Sequence, residues 1–167
     1  MPALEELTDA LLECLREVSD LLDQGITIAD AQREALIASD AEKIAVTCTS
    51  YQEILRRLAQ TDERAAAIAA RIADENGIEG EVDVESVADT VDSSFSPLIS
   101  AELVRISALA VRLREANDIN STLLSNGLDI ITTCLRIVAN DPEPTVYSSQ
   151  ASMAGSSVNI LSLDSRV

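Results

Sequence analysis

The sequence predicts an all-α protein: a long antiparallel helical hairpin, extended into a three-helix coiled-coil-like bundle, with a flexible C-terminal tail. Three observations carry that prediction. Apolar residues recur three and four apart through three long stretches, the period of one face of a helix. Helix start and stop signals, Ser39 to Glu42, Asn76-Gly77 and Ser96-Pro97, punctuate those stretches where one helix should give way to the next. Only three of 167 residues are aromatic and none is Trp, so Ala, Leu, Ile and Val must fill nearly all the buried volume. Such residues suit slim helix-to-helix seams better than a thick globular core, which leans on aromatic rings.

The first helix is expected at about residues 3–38. Leu4, Leu7, Leu11, Cys14, Val18 and Leu21 mark its seam, Leu15 and Leu22 widen it, and Ile28, Ala35 and Leu36 continue it past Gly25. A glycine inside a helix costs about 1 kcal/mol relative to alanine, which a helix this long absorbs. Ser39-Asp40-Ala41-Glu42 then has the form of a capping box, with Ser39 as the cap, and opens a second helix over residues 40–76. Its seam is Ile44, Cys48, Tyr51, Leu55, Leu58, Asp62, Ala65, Ala69 and Ile72, interrupted only by Asp62, whose default reading is a solvated kink or an ion pair. Asn76-Gly77 is the stop.

Residues 77–96 carry six carboxylates and no basic side chain, and form an acidic connection with room for a short helix across residues 84–91. Ser96-Pro97 supplies a cap and a first-turn proline for the longest helix, residues 97–139. Ile99, Leu103, Ile106, Ala110, Leu113, Asn117, Asn120, Leu124, Gly127, Ile131, Cys134 and Val138 alternate strictly four and three apart along it. At about 1.5 Å per residue that helix is roughly 60 Å long, which implies one elongated unit over residues 1–139. Pro142 and Pro144 end it, and residues 140–167 form a Ser-rich tail, expected either to lack fixed structure or to dock Ile160-Leu161-Ser162-Leu163 on a hydrophobic groove.

Charge sharpens the arrangement and narrows the function. The formal charge is −17, with nine acidic against two basic residues over 1–38 and an even balance over 97–139. Most basic residues lie on the second and last helices, so the acidic first helix should pack beside them. A chain this acidic repels phosphate backbones and anionic membrane surfaces, which argues against nucleic-acid partners. With no His, the commonest general base and metal ligand is missing, and no Gly-rich loop follows a strand. No enzyme activity, metal or other cofactor is therefore expected. Cys14, Cys48 and Cys134 are far apart and fit neither a zinc site nor a disulfide framework; buried reduced thiols are the expectation. The first residues lack the basic and apolar regions of a signal peptide, and the longest uncharged stretch holds too many Ser residues for a bilayer span. A cytoplasmic protein without membrane insertion is expected.

Asn117 and Asn120 fall on the seam of the last helix. Buried amides there either fix the register between helices or mark a partly polar groove open to a partner, and the pattern does not separate these.

The segment Glu115-Ala116-Asn117-x-x-Asn120-x-x-Leu123-Leu124, followed by a Pro-containing break, Thr145-Val146-Tyr147, Gly155 and the patch Ile160 to Val167, resembles the FlgN family of flagellar export chaperones. Gln32-Arg33-Glu34-Ala35-Leu36, the stretch Leu55 to Leu58 and Arg64 agree with it in the front half. The resemblance implies a cytoplasmic chaperone that binds the C-terminal helices of hook–filament junction proteins and passes them to the flagellar export gate. It also implies that the C-terminal region makes the contact: Asn117, Asn120, Leu123, Leu124, Leu128, Ile131 and Leu135 on the helix, and Tyr147, Ile160, Leu161 and Leu163 in the tail. The seven residues between Tyr147 and Gly155 exceed the family spacing, which weakens the assignment of Tyr147. A monomer or weak homodimer is expected. The alternative is a self-associating coiled-coil scaffold or adaptor, in which the same seams close on copies of the chain.

Overall fold

A computed structural model describes residues 2–78, 83–88, 90–91 and 94–139. Four helices follow in order: α1 (Pro2–Ala38), α2 (Ala41–Asn76), α3 (Val84–Ala88) and α4 (Ser96–Ala139). No strand occurs among the described residues. The tail from residue 140 onward, with Tyr147, Ile160, Leu161 and Leu163, lies outside them.

The turn between α1 and α2 differs from the expected capping box by one residue. The α1 chain ends in a Schellman motif: the Ser39 amide donates to the Leu36 carbonyl and the Asp40 amide to that of Ala35. That motif needs a left-handed residue, and Ser39 supplies it at φ 53°. Ser39 is thereby committed to ending α1, so Asp40 caps α2, its carboxylate accepting from the Lys43 amide at 3.1 Å. This backbone hydrogen bond holds the Asp40 carboxyl below its usual range. At the far end of α2, Gly77 takes the left-handed position as expected, with φ 69°, and the amides of Gly77 and Ile78 close the same motif on Asp74 and Ala73. The amides of Leu98 and Ile99 both donate to the carbonyl of Phe95, the residue before α4, so Pro97 sits in the first turn, where its missing N–H costs nothing.

α1 is the central element. It packs against both α2 and α4, whereas no Cα atom of α2 comes within 8 Å of one of α4. A helix held from two sides must bury more than one stripe. Leu12, Ile26 and Ala29 are accordingly buried beside the expected Leu7, Leu11, Cys14, Leu15, Val18, Leu21 and Leu22. Gly25 lies beneath side chains of both flanking helices: a Cβ there would stand 3.3 Å from Leu113 Cδ2 and 3.7 Å from Ile54 Cγ2. The helix interior therefore carries a glycine because two neighbours fill the space above it.

On α2 the buried line runs Ile54, Leu58, Thr61, Ala65, Ala69 and Ile72. Ile54 and Thr61 take the places assigned to Leu55 and Asp62, while Leu58, Ala65, Ala69 and Ile72 are buried as expected. Asp62 is left half-buried, and burial pushes its carboxyl up from the ordinary range. α3 falls within the acidic connection and packs on both α2 and α4, with Val87 and Ala88 buried, so it closes that end of the bundle.

α1 and α2 are antiparallel, and α4 runs parallel to α1. Arg64 and Arg57 on α2 reach Glu17 at 3.2 and 3.6 Å, and Arg105 on α4 lies 3.9 Å from Asp20. The Ser19 hydroxyl also donates to the Glu102 carboxylate. The acidic helix thus sits between its basic neighbours, although exposed pairs of this kind contribute at most about 1 kcal/mol each.

Candidate docking face on the last helix

The partnership between α1 and α4 ends at a layer of amides. Asn120 is 5% exposed, and its Nδ2 donates to the Ala29 carbonyl at 2.8 Å and to Gln32 Oε1 at 3.1 Å. Gln32 Nε2 in turn donates to Cys48 Sγ at 3.3 Å, and Asn117 Nδ2 to the Tyr51 hydroxyl at 2.6 Å. All three long helices contribute, and the bonds set how far α4 slides along the hairpin. Both seam asparagines are therefore hydrogen-bonded to the neighbouring helices, as residues that fix register are. Asn120 Oδ1 is buried without a partner among the described residues, which costs stability.

Beyond this layer the helices differ in length. α1 continues nine residues past Ala29 to Ala38, and α4 continues nineteen past Asn120 to Ala139. At about 1.5 Å per residue, α4 outruns the hairpin by roughly 15 Å. No residue of α4 after Asn120 is buried. The expected site residues lie here: Leu123 is half-buried, while Leu124, Leu128, Ile131 and Leu135 are exposed, Leu135 to 64%.

The apolar surface is wider than the expected seam. At about 100° per residue, Ile130, Cys134, Ile137 and Val138 join those leucines and Ile131 on one half of the helix circumference. Ser125, Asn126, Asp129, Thr132, Thr133 and Arg136 make up the other half. An apolar arc of roughly 180° exceeds the stripe of about 100° that an ordinary surface helix shows the core. Val138 is 84% exposed and Ile137 73%. Reading one residue per heptad position hides Ile130 and Ile137; plotting every residue on the wheel would have found them. Gly127 lies within the arc, and a Cβ there would meet nothing within 4 Å.

Cys48 and Cys134 are exposed, and only Cys14 is buried, so the expected burial of all three thiols is corrected. Both exposed thiols occupy expected seam positions, Cys48 at the amide layer and Cys134 on the exposed end of α4.

α4 is long and apolar enough, by length and composition, to cross a membrane. Its polar half, with Asp129 and Arg136, is that of a helix lying against a surface, whereas a bilayer span is apolar all round. Among the described residues no group of His, Cys, Asp or Glu is placed to hold a metal. A polar cleft at mid-bundle is lined by Glu17, Glu53, Arg56, Arg57, Gln60 and Arg64. Its guanidinium groups are matched, Arg56 by Glu53 at 2.6 Å and the other two by Glu17, so it offers paired charges and no free anion site.

Comparison with known families gives a match to the FlgN protein family over residues 1–155. No curated protein and no solved structure matches the chain.

Proposed function

Because the chain belongs to the FlgN family, a family of flagellar export chaperones that bind export substrates, we propose that it is a cytoplasmic chaperone whose docking face is the free half of α4. Its occupant is the amphipathic C-terminal helix of a hook–filament junction protein. The observation that carries this is the apolar arc from Leu124 to Val138, exposed beyond the amide layer, its far end projecting past the hairpin, with no partner in the chain's described residues. A helix laid in that position buries its own apolar face and is kept from aggregating. Leu124, Leu128, Ile131 and Leu135 make the contact, with Leu123 at its inner edge. Asn117 and Asn120 hold the α4 register behind it. Tyr147, Ile160, Leu161 and Leu163 belong to the same C-terminal region and extend the contact beyond the helix.

The net charge of −17 suits this role, because it keeps a complex carrying an unfolded substrate in solution. The loaded chaperone then delivers its substrate to the export gate. No nucleotide is needed for capture, since burial of apolar surface drives it.

The test is calorimetric titration of the full chain with C-terminal fragments of the junction proteins of the same organism. A one-to-one complex is expected, with affinity at least about tenfold weaker for Leu124→Asp combined with Leu128→Asp, a loss of at least ~1.4 kcal/mol. Helicity and melting temperature of that variant stay unchanged. Absence of binding to either junction protein overturns the proposal. One observation favours a second reading: the four-three spacing of Leu124, Leu128, Ile131, Leu135 and Val138 also suits pairing with a copy of the same helix, as in a coiled-coil scaffold. Sedimentation of the isolated chain separates the two, since a scaffold associates without partner.

A further inference from the structure

We propose that, while no partner is bound, the apolar arc of α4 is covered by the chain's own segment 158–163, Val158-Asn159-Ile160-Leu161-Ser162-Leu163, folded back along the helix. This rests on the arc being the docking face; the segment would then be what an incoming helix displaces.

Four observations point to this occupant. The arc is too large to stand open at no cost, because monomeric proteins seldom expose contiguous apolar patches beyond a few hundred Å². The segment's chemistry fits: it has no charge and four large apolar side chains in six residues. Its position fits as well. Twenty residues separate Ala139 from Ile160, enough to span about 66 Å fully extended, whereas a return from the end of α4 to Leu124 needs only about 22 Å. Pro142 and Pro144 follow Ala139 closely, and a proline lacks the N–H that a continuing helix requires.

A second copy of the chain is the weaker candidate for the same face. Two molecules carrying −17 each repel one another, and that repulsion opposes pairing at every concentration. The tethered segment meets no such barrier, and an untethered competitor matches its effective concentration only at about millimolar levels. Partner binding then becomes an exchange, and the apparent affinity for substrate is lowered by the fraction of molecules in which the face is open.

Cys134, exposed within the arc, reports coverage directly, and Cys48, exposed on α2, serves as the internal reference. The full chain is alkylated with N-ethylmaleimide without any partner, and modification of each thiol is followed by peptide mass spectrometry. The same is done for the full-length variant Ile160→Asp, Leu161→Asp, Leu163→Asp. If the segment covers the face in four molecules out of five, Cys134 reacts about fivefold faster in the variant, with Cys48 unchanged. Equal Cys134 rates in the two proteins overturn the proposal, and so does protection that grows with protein concentration, which would assign the face to a second copy. Because no junction protein is present, neither result bears on whether one binds.

Discussion

The two halves of α4 carry the same pattern and meet opposite fates. From Ile99 to Asn120 the apolar face is buried, with Ile106, Leu109, Leu113 and Ala116 all below a tenth exposed; Leu109 and Ala116 are buried in place of the expected Ala110 and Asn117, which are half-buried like Leu103. From Leu124 to Val138 the alternation continues in phase, yet none of its residues is buried. Nothing in the helix itself marks the boundary. What changes is the neighbour: beyond the Asn120 layer α4 no longer buries side chains against α1, and its last ten residues, roughly 15 Å, extend past the end of α1 at Ala38. An apolar face is a core where a partner element is present and a docking surface where it is not.

The largest expected effect tests that contrast directly. Leu113→Ala empties space packed between α1 and α2 and should lower stability by about 2–5 kcal/mol. Leu135→Ala, on the free half, should change it by no more than about 0.5 kcal/mol. Urea unfolding followed by circular dichroism measures both, and equal losses would show that the free half is packed after all.

Two glycines sharpen the comparison at smaller scale. Gly25→Val forces a branched side chain against Leu113 and Ile54 and should cost about 1–3 kcal/mol in the same assay. Gly127→Ala meets no neighbour and should favour the free helix by up to about 1 kcal/mol, read as slower amide exchange over residues 124–138. The boundary layer comes next. Asn120→Ala removes the bonds to Ala29 and Gln32 and should cost about 1–2 kcal/mol, against no measurable change for Asn126→Ala on the polar face of the free half. Wild-type stability in the Asn120 variant would mean that the amide layer does not hold the register.

The smallest effect is a dependence on pH, centred on Asp62 beside the packed seam. Burial raises its carboxyl pKa, so the folded chain holds that proton more tightly than the unfolded chain does. The destabilisation is present in full above the raised pKa and is relieved as pH falls through it towards the ordinary value of 3.8. Asp62→Asn should therefore raise the melting temperature at neutral pH, by an amount that shrinks as the solution is acidified. A gain independent of pH would assign the effect to something other than ionisation.

Much of this was legible in the sequence, because it is local. The three long helices end within one or two residues of where caps and seams place them, and Gly77 stops α2 as its sequence requires. The errors are also informative. Ser39 and Asp40 are both good caps, and only the need of α1 for a left-handed last residue assigns them different tasks. Thr61 and Asp62 stand about 100° apart on α2, and with Leu58, Ala65, Ala69 and Ile72 buried as expected, the helix buries the neutral hydroxyl and leaves the carboxylate at the edge of the seam. Cys48 and Cys134 sit at seam positions, and a seam position says what a residue is suited to bury, not whether anything covers it.

The sequence by itself determined the helices, their apolar faces, the acidic character of α1 and the family resemblance. Each depends on residues a few positions apart or on a sum over the chain. The tertiary structure alone decided that α1 is central, that Asn117 and Asn120 point inward, and that the free half of α4 begins just past Asn120. Those outcomes rest on contacts such as Asn120 with Ala29, ninety-one residues apart. Periodicity is fixed within one helix, whereas coverage depends on what a second helix packs against it.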